Sequence, residues 1–167
     1  MYLTRFLVWL DATHFSHWMR DSIYAEPIVE SIHVLTLTFF LGFAVLLDLR
    51  LLGVCMKKRR VSEVLGQFNP CLFCGFAVMI VSGVLLFSGD PVDFYSTSFF
   101  KIKMILLVFA GLNVLIFNAT IGRKVEEWDS ALKTPKAAKI AAIVSLVLWA
   151  AIVAAGRAIA YVLPPPS

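Results

Sequence analysis

Residues 28–47 read IVESIHVLTLTFFLGFAVLL, and this stretch decides the fold class of the chain. At ~1.5 Å per residue, a helix needs about 20 residues to cross the ~30 Å hydrocarbon core of a bilayer. Three more apolar stretches of similar length follow, at residues 68–88, 104–122 and 140–163. Lipid offers no hydrogen-bond partner to backbone groups, so continuous apolar runs of this length predict membrane-spanning helices rather than strands.

The composition agrees with a membrane protein. Hydrophobic residues make up 60% of the 167 residues and charged residues 16%, whereas roughly 25% of an ordinary soluble domain is charged. We therefore predict an all-α polytopic membrane protein whose four transmembrane helices form one bundle. Its predicted parts are an N-terminal segment at 1–25, a four-helix domain at 26–163 with spans at about 27–53, 67–88, 99–122 and 138–163, and a short proline-rich tail at 164–167.

The N-terminal segment carries apolar and aromatic residues at helical spacing. The residues that recur every three or four positions are Leu3, Phe6, Leu7, Leu10, His14, His17 and Trp18. The longest apolar run here is too short for the core of a signal peptide. The pattern predicts an amphipathic helix that lies on the membrane surface.

Basic residues are concentrated in two of the loops between the spans. The first basic loop contains Arg50, Lys57, Lys58, Arg59 and Arg60, and the second contains Arg123, Lys124, Lys133, Lys136 and Lys139. The loop between them is balanced, with Asp90 and Asp93 against Lys101 and Lys103. The positive-inside rule predicts that both basic loops are cytoplasmic and both termini periplasmic, in the inner membrane of a bacterium. The net charge of +4 then reflects topology and contact with anionic lipid, not binding to nucleic acid.

Three histidines form the candidate site. His14 and His17 lie one turn apart on the predicted surface helix, and His33 lies about two turns into the first span, one turn after Glu30. Imidazole ligates haem iron and also suits copper and zinc. The sequence predicts either a b-type haem held by His33 with His17 or His14, or a copper or zinc ion held by all three. The alternative is that the histidines are interfacial side chains without a cofactor.

Other polar side chains in the spans are predicted to hold the bundle together. They are Glu30, Asp48, Arg50, Asn113 and Arg157. Arg157 needs an anion, for which Glu30 is the candidate, and the expected partners of Asp48 are Asn69, Asn118 and Arg123. Such contacts are typically worth ~0.6 to 2 kcal/mol, so they specify packing more than they stabilise it. A proton or ion path through Glu30, Asn113 and Asp48 is the alternative.

The fourth span is rich in small residues, and they occupy more than one face. They are Ala141, Ala142, Ser145, Ala150, Ala151, Ala154, Ala155, Gly156, Ala158 and Ala160. Small residues let helix backbones approach closely. The span is therefore expected to pack on its own bundle and on another membrane subunit or a second copy of the chain.

Five motifs together resemble a family of small bacterial four-helix membrane proteins of unknown function. They are P-x-x-E-x-x-H at 27–33, D-L-R-L-L-G at 48–53, Asn113, W-D at 128–129 and G-R-x-x-A-Y at 156–161. The resemblance covers nearly the whole chain and implies the fold but no established activity. A looser similarity to copper-resistance membrane domains adds slightly to the metal interpretation. Many members of the family carry a histidine where this chain has Asn118, a departure that weakens any site needing a ligand there.

The motifs of several enzyme classes are missing from the sequence. It contains no phosphate-binding loop, no G-x-S-x-G elbow and no H-E-x-x-H pair. We therefore expect no independent catalytic activity. The sequence favours an accessory or structural subunit of a larger membrane complex. The second interpretation is a haem- or copper-binding electron-transfer protein, and the third is a small transporter or proton-path protein.

Overall fold

A computed structural model describes residues 2–129 and 134–162, and these residues form helices and no strand. The helices are α1 (Tyr2–Asp11), α2 (His14–Asp21), α3 (Ala25–Leu52), α4 (Val61–Gly89), α5 (Pro91–Ser96), α6 (Ser98–Thr120), α7 (Val125–Asp129) and α8 (Lys136–Val162). A 3₁₀ turn at Gly122–Lys124 precedes α7. The predicted tail at 164–167 lies outside the described residues.

Four of these helices, α3, α4, α6 and α8, are long and apolar enough to cross a membrane. The predicted all-α membrane bundle is therefore confirmed. In the described residues α3 packs mainly on α4, α8 on α6, and α3 on α8. Ring contacts of Phe43 with Phe68 and of Phe40 with Trp149 join α3 to its antiparallel neighbours α4 and α8.

Two apolar clusters fill the bundle at different heights. One contains Phe40, Ala110, Trp149 and Ile152, and we call it the central cluster. The other contains Leu51, Val61, Leu65, Phe117, Ala138 and Ala142, and we call it the basal cluster. The basal cluster lies beside the two basic loops, at what we call the basic end. The opposite end carries α1, α2 and α5, and we call it the N-terminal end.

The N-terminal segment forms two helices instead of the single helix that the sequence predicts. The break falls after Asp11 because the Thr13 side chain accepts a hydrogen bond from the Ser16 backbone N–H, which makes Thr13 the N-cap of α2. Ser16 and Met19 are fully buried, and the Ser16 hydroxyl donates to the Gly89 carbonyl at 2.9 Å. Helix α2 is therefore anchored on the C-terminus of α4.

The basic end is fastened by side chains that bond to main-chain groups. The carboxylate of Asp129 on α7 accepts hydrogen bonds from the Val61 and Ser62 backbone N–H groups at 2.8 and 3.0 Å. It thereby satisfies the free donors at the start of α4. The Arg50 guanidinium donates to the Arg59 carbonyl at 2.9 Å, which fixes the loop between α3 and α4. These contacts explain why α4 begins at Val61, six residues before the predicted span.

Candidate functional site

The structure gives His33 a partner on the neighbouring helix. Its Nδ1 atom lies 2.7 Å from the hydroxyl oxygen of Ser82 on α4. The Ser82 hydroxyl is also 2.7 Å from the Val78 carbonyl, which can only accept. A hydroxyl has one proton, so when Ser82 donates it to Val78 it must accept the Nδ1 proton of His33. The neutral imidazole then has an unprotonated Nε2, the form that binds metals or accepts a proton.

Close packing surrounds the His33 ring. A Cβ atom on Gly83 would lie 3.5 Å from the His33 Cε1 atom, so the absent side chain gives the ring its room against α4. Lys103, on α6, is near enough to act electrostatically on His33. Its ammonium group reaches α8, where a Cβ atom on Gly156 would lie 3.6 Å from Nζ. Helices α4 and α6 therefore contribute to the surroundings of His33, and Lys103 in turn lies beside α8.

The other predicted members of the histidine site lie on the surface. His14 and His17 are exposed and line an open groove of about 460 Å³ with Trp18, Asp21 and Ser22. Glu30 is exposed as well. Within residues 2–129 and 134–162, no three His, Cys, Asp or Glu side chains form a group that could hold a metal ion. The haem and metal assignments to His14, His17 and His33 stay predictions.

The predicted packing residues have partners that differ in part from those expected. The carboxyl group of Asp48 lies near Ser145 on α8, while Asn69 and Asn118 are exposed. The Arg157 guanidinium lies over the Tyr161 ring, 5.3 Å from its centroid, instead of meeting Glu30. Tyr161 is reached because it follows Arg157 by one helical turn.

The side-chain amide of Asn113 finds its partner on the neighbouring helix. It donates to the Ala141 carbonyl on α8 at 3.0 Å. The structure does not bring the proposed path residues Glu30, Asn113 and Asp48 together. Glu30 is exposed beside the N-terminal end, and the central cluster lies between its level and that of Asp48.

Several residues of these polar sites were missed by the sequence analysis. A serine in an apolar run, such as Ser82, gives no signal of a site. The sequence pattern groups Lys103 with the loop charges, whereas it lies within α6 and is half-buried. Arg20 was also missed. It donates to the Gly89 carbonyl at 2.8 Å and forms ion pairs with Asp11 and Asp90. A charged residue within one turn of a predicted span end was the available signal for Lys103.

These features define a small helical membrane protein with a half-buried polar group around His33. The chain belongs to the family of unknown function DUF6644, which it matches over residues 5–162. The resemblance to a family of unknown function is thereby confirmed, while the similarity to copper-resistance domains stays a prediction. Comparisons with curated proteins and with solved structures gave no match.

Proposed function

We propose that the protein is a non-catalytic accessory subunit of a larger complex in a bacterial inner membrane. In this proposal both basic loops face the cytoplasm and the N-terminal end faces the periplasm. The observation that supports the subunit role is that the residues of α8 form two stripes, one buried and one exposed. The inner stripe faces the bundle and consists of Ala138, Ala142, Ser145, Trp149, Ile152, Ala155 and Ile159.

The outer stripe of α8 faces away from the bundle. It consists of Ile143, Val147, Ala150, Ala154, Arg157 and Tyr161, all of them exposed. Ala150 and Ala154 are one turn apart, so another helix can approach the α8 backbone closely at this point. Lipid chains gain no comparable advantage from small residues. A partner helix is thus a better explanation of this spacing than lipid.

Arg157 adds a charge to the same outer stripe. It lies within α8, five residues before the last described residue of the helix, and its only described polar partner is the Tyr161 hydroxyl at 3.4 Å. Ionisable groups in membrane helices are costly and usually face protein. A partner helix that offers a carboxylate at this level would pair with Arg157 and cover the outer stripe.

Leucine substitutions test the proposed subunit role. We expect Ala150→Leu and Ala154→Leu to release co-purifying membrane proteins in mild detergent while the chain remains inserted and folded. Ala77→Leu makes the same change on an exposed position of α4 and should release nothing. A wild-type chain that is recovered alone after crosslinking in native membranes would refute the subunit role.

Cysteine labelling tests the proposed orientation. In a background with Cys55, Cys71 and Cys74 replaced by serine, we expect Ser96→Cys to react with an impermeant maleimide in intact cells. Lys58→Cys, at an exposed position of the first basic loop, should react only after the membrane is opened. Labelling of the Lys58 position alone in intact cells would contradict the proposed orientation and indicate the opposite one.

A second candidate function rests on the Ser82 contact of His33. Ligating histidines usually donate their other ring N–H to an oxygen atom, which fixes the ring and the tautomer. Ser82 supplies that oxygen at 2.7 Å, so Nε2 of His33 is available as an axial ligand in a haem or copper electron-transfer protein. Protein purified from cells supplied with haem and copper should then absorb in the visible range, and His33→Ala should remove the absorption. A colourless, metal-free preparation would exclude this function.

A further inference from the structure

Asp48 is a buried carboxyl group that the proposed functions do not use. It lies four residues before the end of α3 at Leu52, and only 6% of its surface is exposed. The Ser145 hydroxyl on α8 lies near the carboxyl group of Asp48. Its Oδ2 atom is fully buried and has no hydrogen-bond partner, the one such side-chain atom among residues 2–129 and 134–162.

Apolar clusters lie on both sides of Asp48 along the bundle. Its neighbour Ser145 occupies the inner stripe of α8 between Ala142 and Trp149. Ala142 belongs to the basal cluster and Trp149 to the central cluster, so the carboxyl lies between the two clusters. Asp48 is therefore separated from His33 by the central cluster and from the basic loops by the basal cluster.

The charged groups near this end of the bundle are bound elsewhere. Arg50, two residues along α3, is directed to the Arg59 carbonyl and acts electrostatically on Asp129. On α6, the Asn113 amide is bonded to the Ala141 carbonyl. Neither of the ion pairs described within residues 2–129 and 134–162 includes Asp48. An ionised Asp48 would thus have no counter-ion.

We propose that Asp48 is a proton-binding site, and that its carboxyl group is neutral in the folded protein. An ionised carboxylate with one unpaired oxygen is strongly disfavoured in a medium of low polarity. Uptake of one proton by Oδ2 removes the charge and turns the unpaired acceptor into a hydrogen-bond donor. A main-chain carbonyl of the helix can accept the hydrogen bond from this donor. No electron is transferred, and the proton comes from water. Because Asp48 lies about 6 Å along the helix from the end of α3, the basic end is the shorter route.

Infrared difference spectroscopy tests the proton directly. For wild-type protein in nanodiscs at neutral pH, we expect a carbonyl stretching band of a protonated carboxylic acid that shifts in D₂O and is lost in Asp48→Asn. Ser145→Ala removes the neighbouring hydroxyl and should move the same band to higher wavenumber. Glu30→Gln, a matched change at an exposed carboxyl, should leave the band unchanged.

Two outcomes would overturn the proposal. If Asp48→Asn and Ser145→Ala both leave the protonated-acid region unchanged, Asp48 is ionised. If the band is present in potassium or choline buffer but disappears when sodium is added, the site holds a metal cation in preference to a proton. The Ser145 variant keeps the carboxyl itself, so it remains informative even if Asp48→Asn fails to fold.

Discussion

The two ends of the bundle use their polar residues in different ways. At the basic end, the side chains of Asp129 and Arg50 bond to main-chain groups of the loop and of α4. Towards the N-terminal end, Nε2 of His33 and the ammonium group of Lys103 have no described hydrogen-bond partner. Satisfied polar groups stabilise a fold, whereas unsatisfied ones in a membrane are costly and indicate a ligand or partner. This difference supports a structural role for Asp129 and Arg50 and the proposed ligand role of His33.

The largest loss of stability is expected for Asp129→Ala. The change removes two backbone hydrogen bonds and one from the Ser62 hydroxyl at 2.7 Å, and it leaves buried donors unpaired. We expect the free energy of unfolding to fall by about 2 to 4 kcal/mol. Denaturant unfolding in mixed micelles measures this change. Asp93→Ala, at an exposed position of α5, is the matched control and should cost less than ~0.5 kcal/mol. Equal losses would contradict the structural assignment of Asp129.

Arg20 is the exception at the N-terminal end, since its polar atoms are satisfied. It anchors α2 through the Gly89 carbonyl, Asp11 and Asp90. Its side chain is about one-third exposed, so we expect Arg20→Ala to lower the free energy of unfolding by about 1 to 2 kcal/mol. Proteolysis between α2 and α3 should accelerate in parallel. Unchanged protection of this segment would show that Arg20 does not hold α2 in place.

Asp90 should contribute much less than its ion pair indicates. Burial raises the pKa of the Asp90 carboxyl even though Arg20 Nε lies 2.7 Å from its Oδ1 atom. A raised pKa means that folding favours the protonated form, so the contribution of this group is present at low pH and is lost as the pH rises through the folded-state pKa. Asp90→Asn mimics the neutral form and should change stability at pH 7 by less than ~0.5 kcal/mol. A loss as large as that of Arg20→Ala would mean that the ion pair outweighs burial.

Substitutions at two glycines of α3 give a further test of the basic end, with effects of intermediate size. Gly53 ends α3 with φ of 76°, a conformation that side chains rarely adopt. Gly53→Ala should therefore cost about 1 kcal/mol. Gly42 lies inside α3 with open space around it, so Gly42→Ala should stabilise the helix by about 0.5 to 1 kcal/mol. The two variants should move the unfolding midpoint in opposite directions, and a shift in the same direction would contradict the assigned end of α3.

The sequence was sufficient for the fold because the bilayer imposes a simple rule on it. Runs of about 20 apolar residues predict spans whatever their neighbours are. Gly53 and Asp129 also stood out, since both belong to motifs. The partner of Asp129 did not, because Val61 and Ser62 are 68 and 67 residues away along the chain.

The candidate site was predictable only in part, because its contacts also join residues that are distant along the chain. His33 is unusual in an apolar run and was identified, but its contact with Ser82 depends on the register between α3 and α4, which apolar periodicity leaves open. The predicted surface helix was interrupted by a local effect, the Thr13 cap. The pairing of Glu30 with Arg157 assumed that equal depth means contact, whereas Arg157 is directed to its own helical neighbour Tyr161.

Site-specific photo-crosslinking in native membranes tests the central claim, that the outer stripe of α8 contacts another membrane protein. A photoreactive phenylalanine analogue is placed at Ala154 in one sample and at Ala77 in another. We expect a discrete protein adduct at position 154 and none at position 77. No adduct at position 154, or the same adducts at both positions, would contradict this claim.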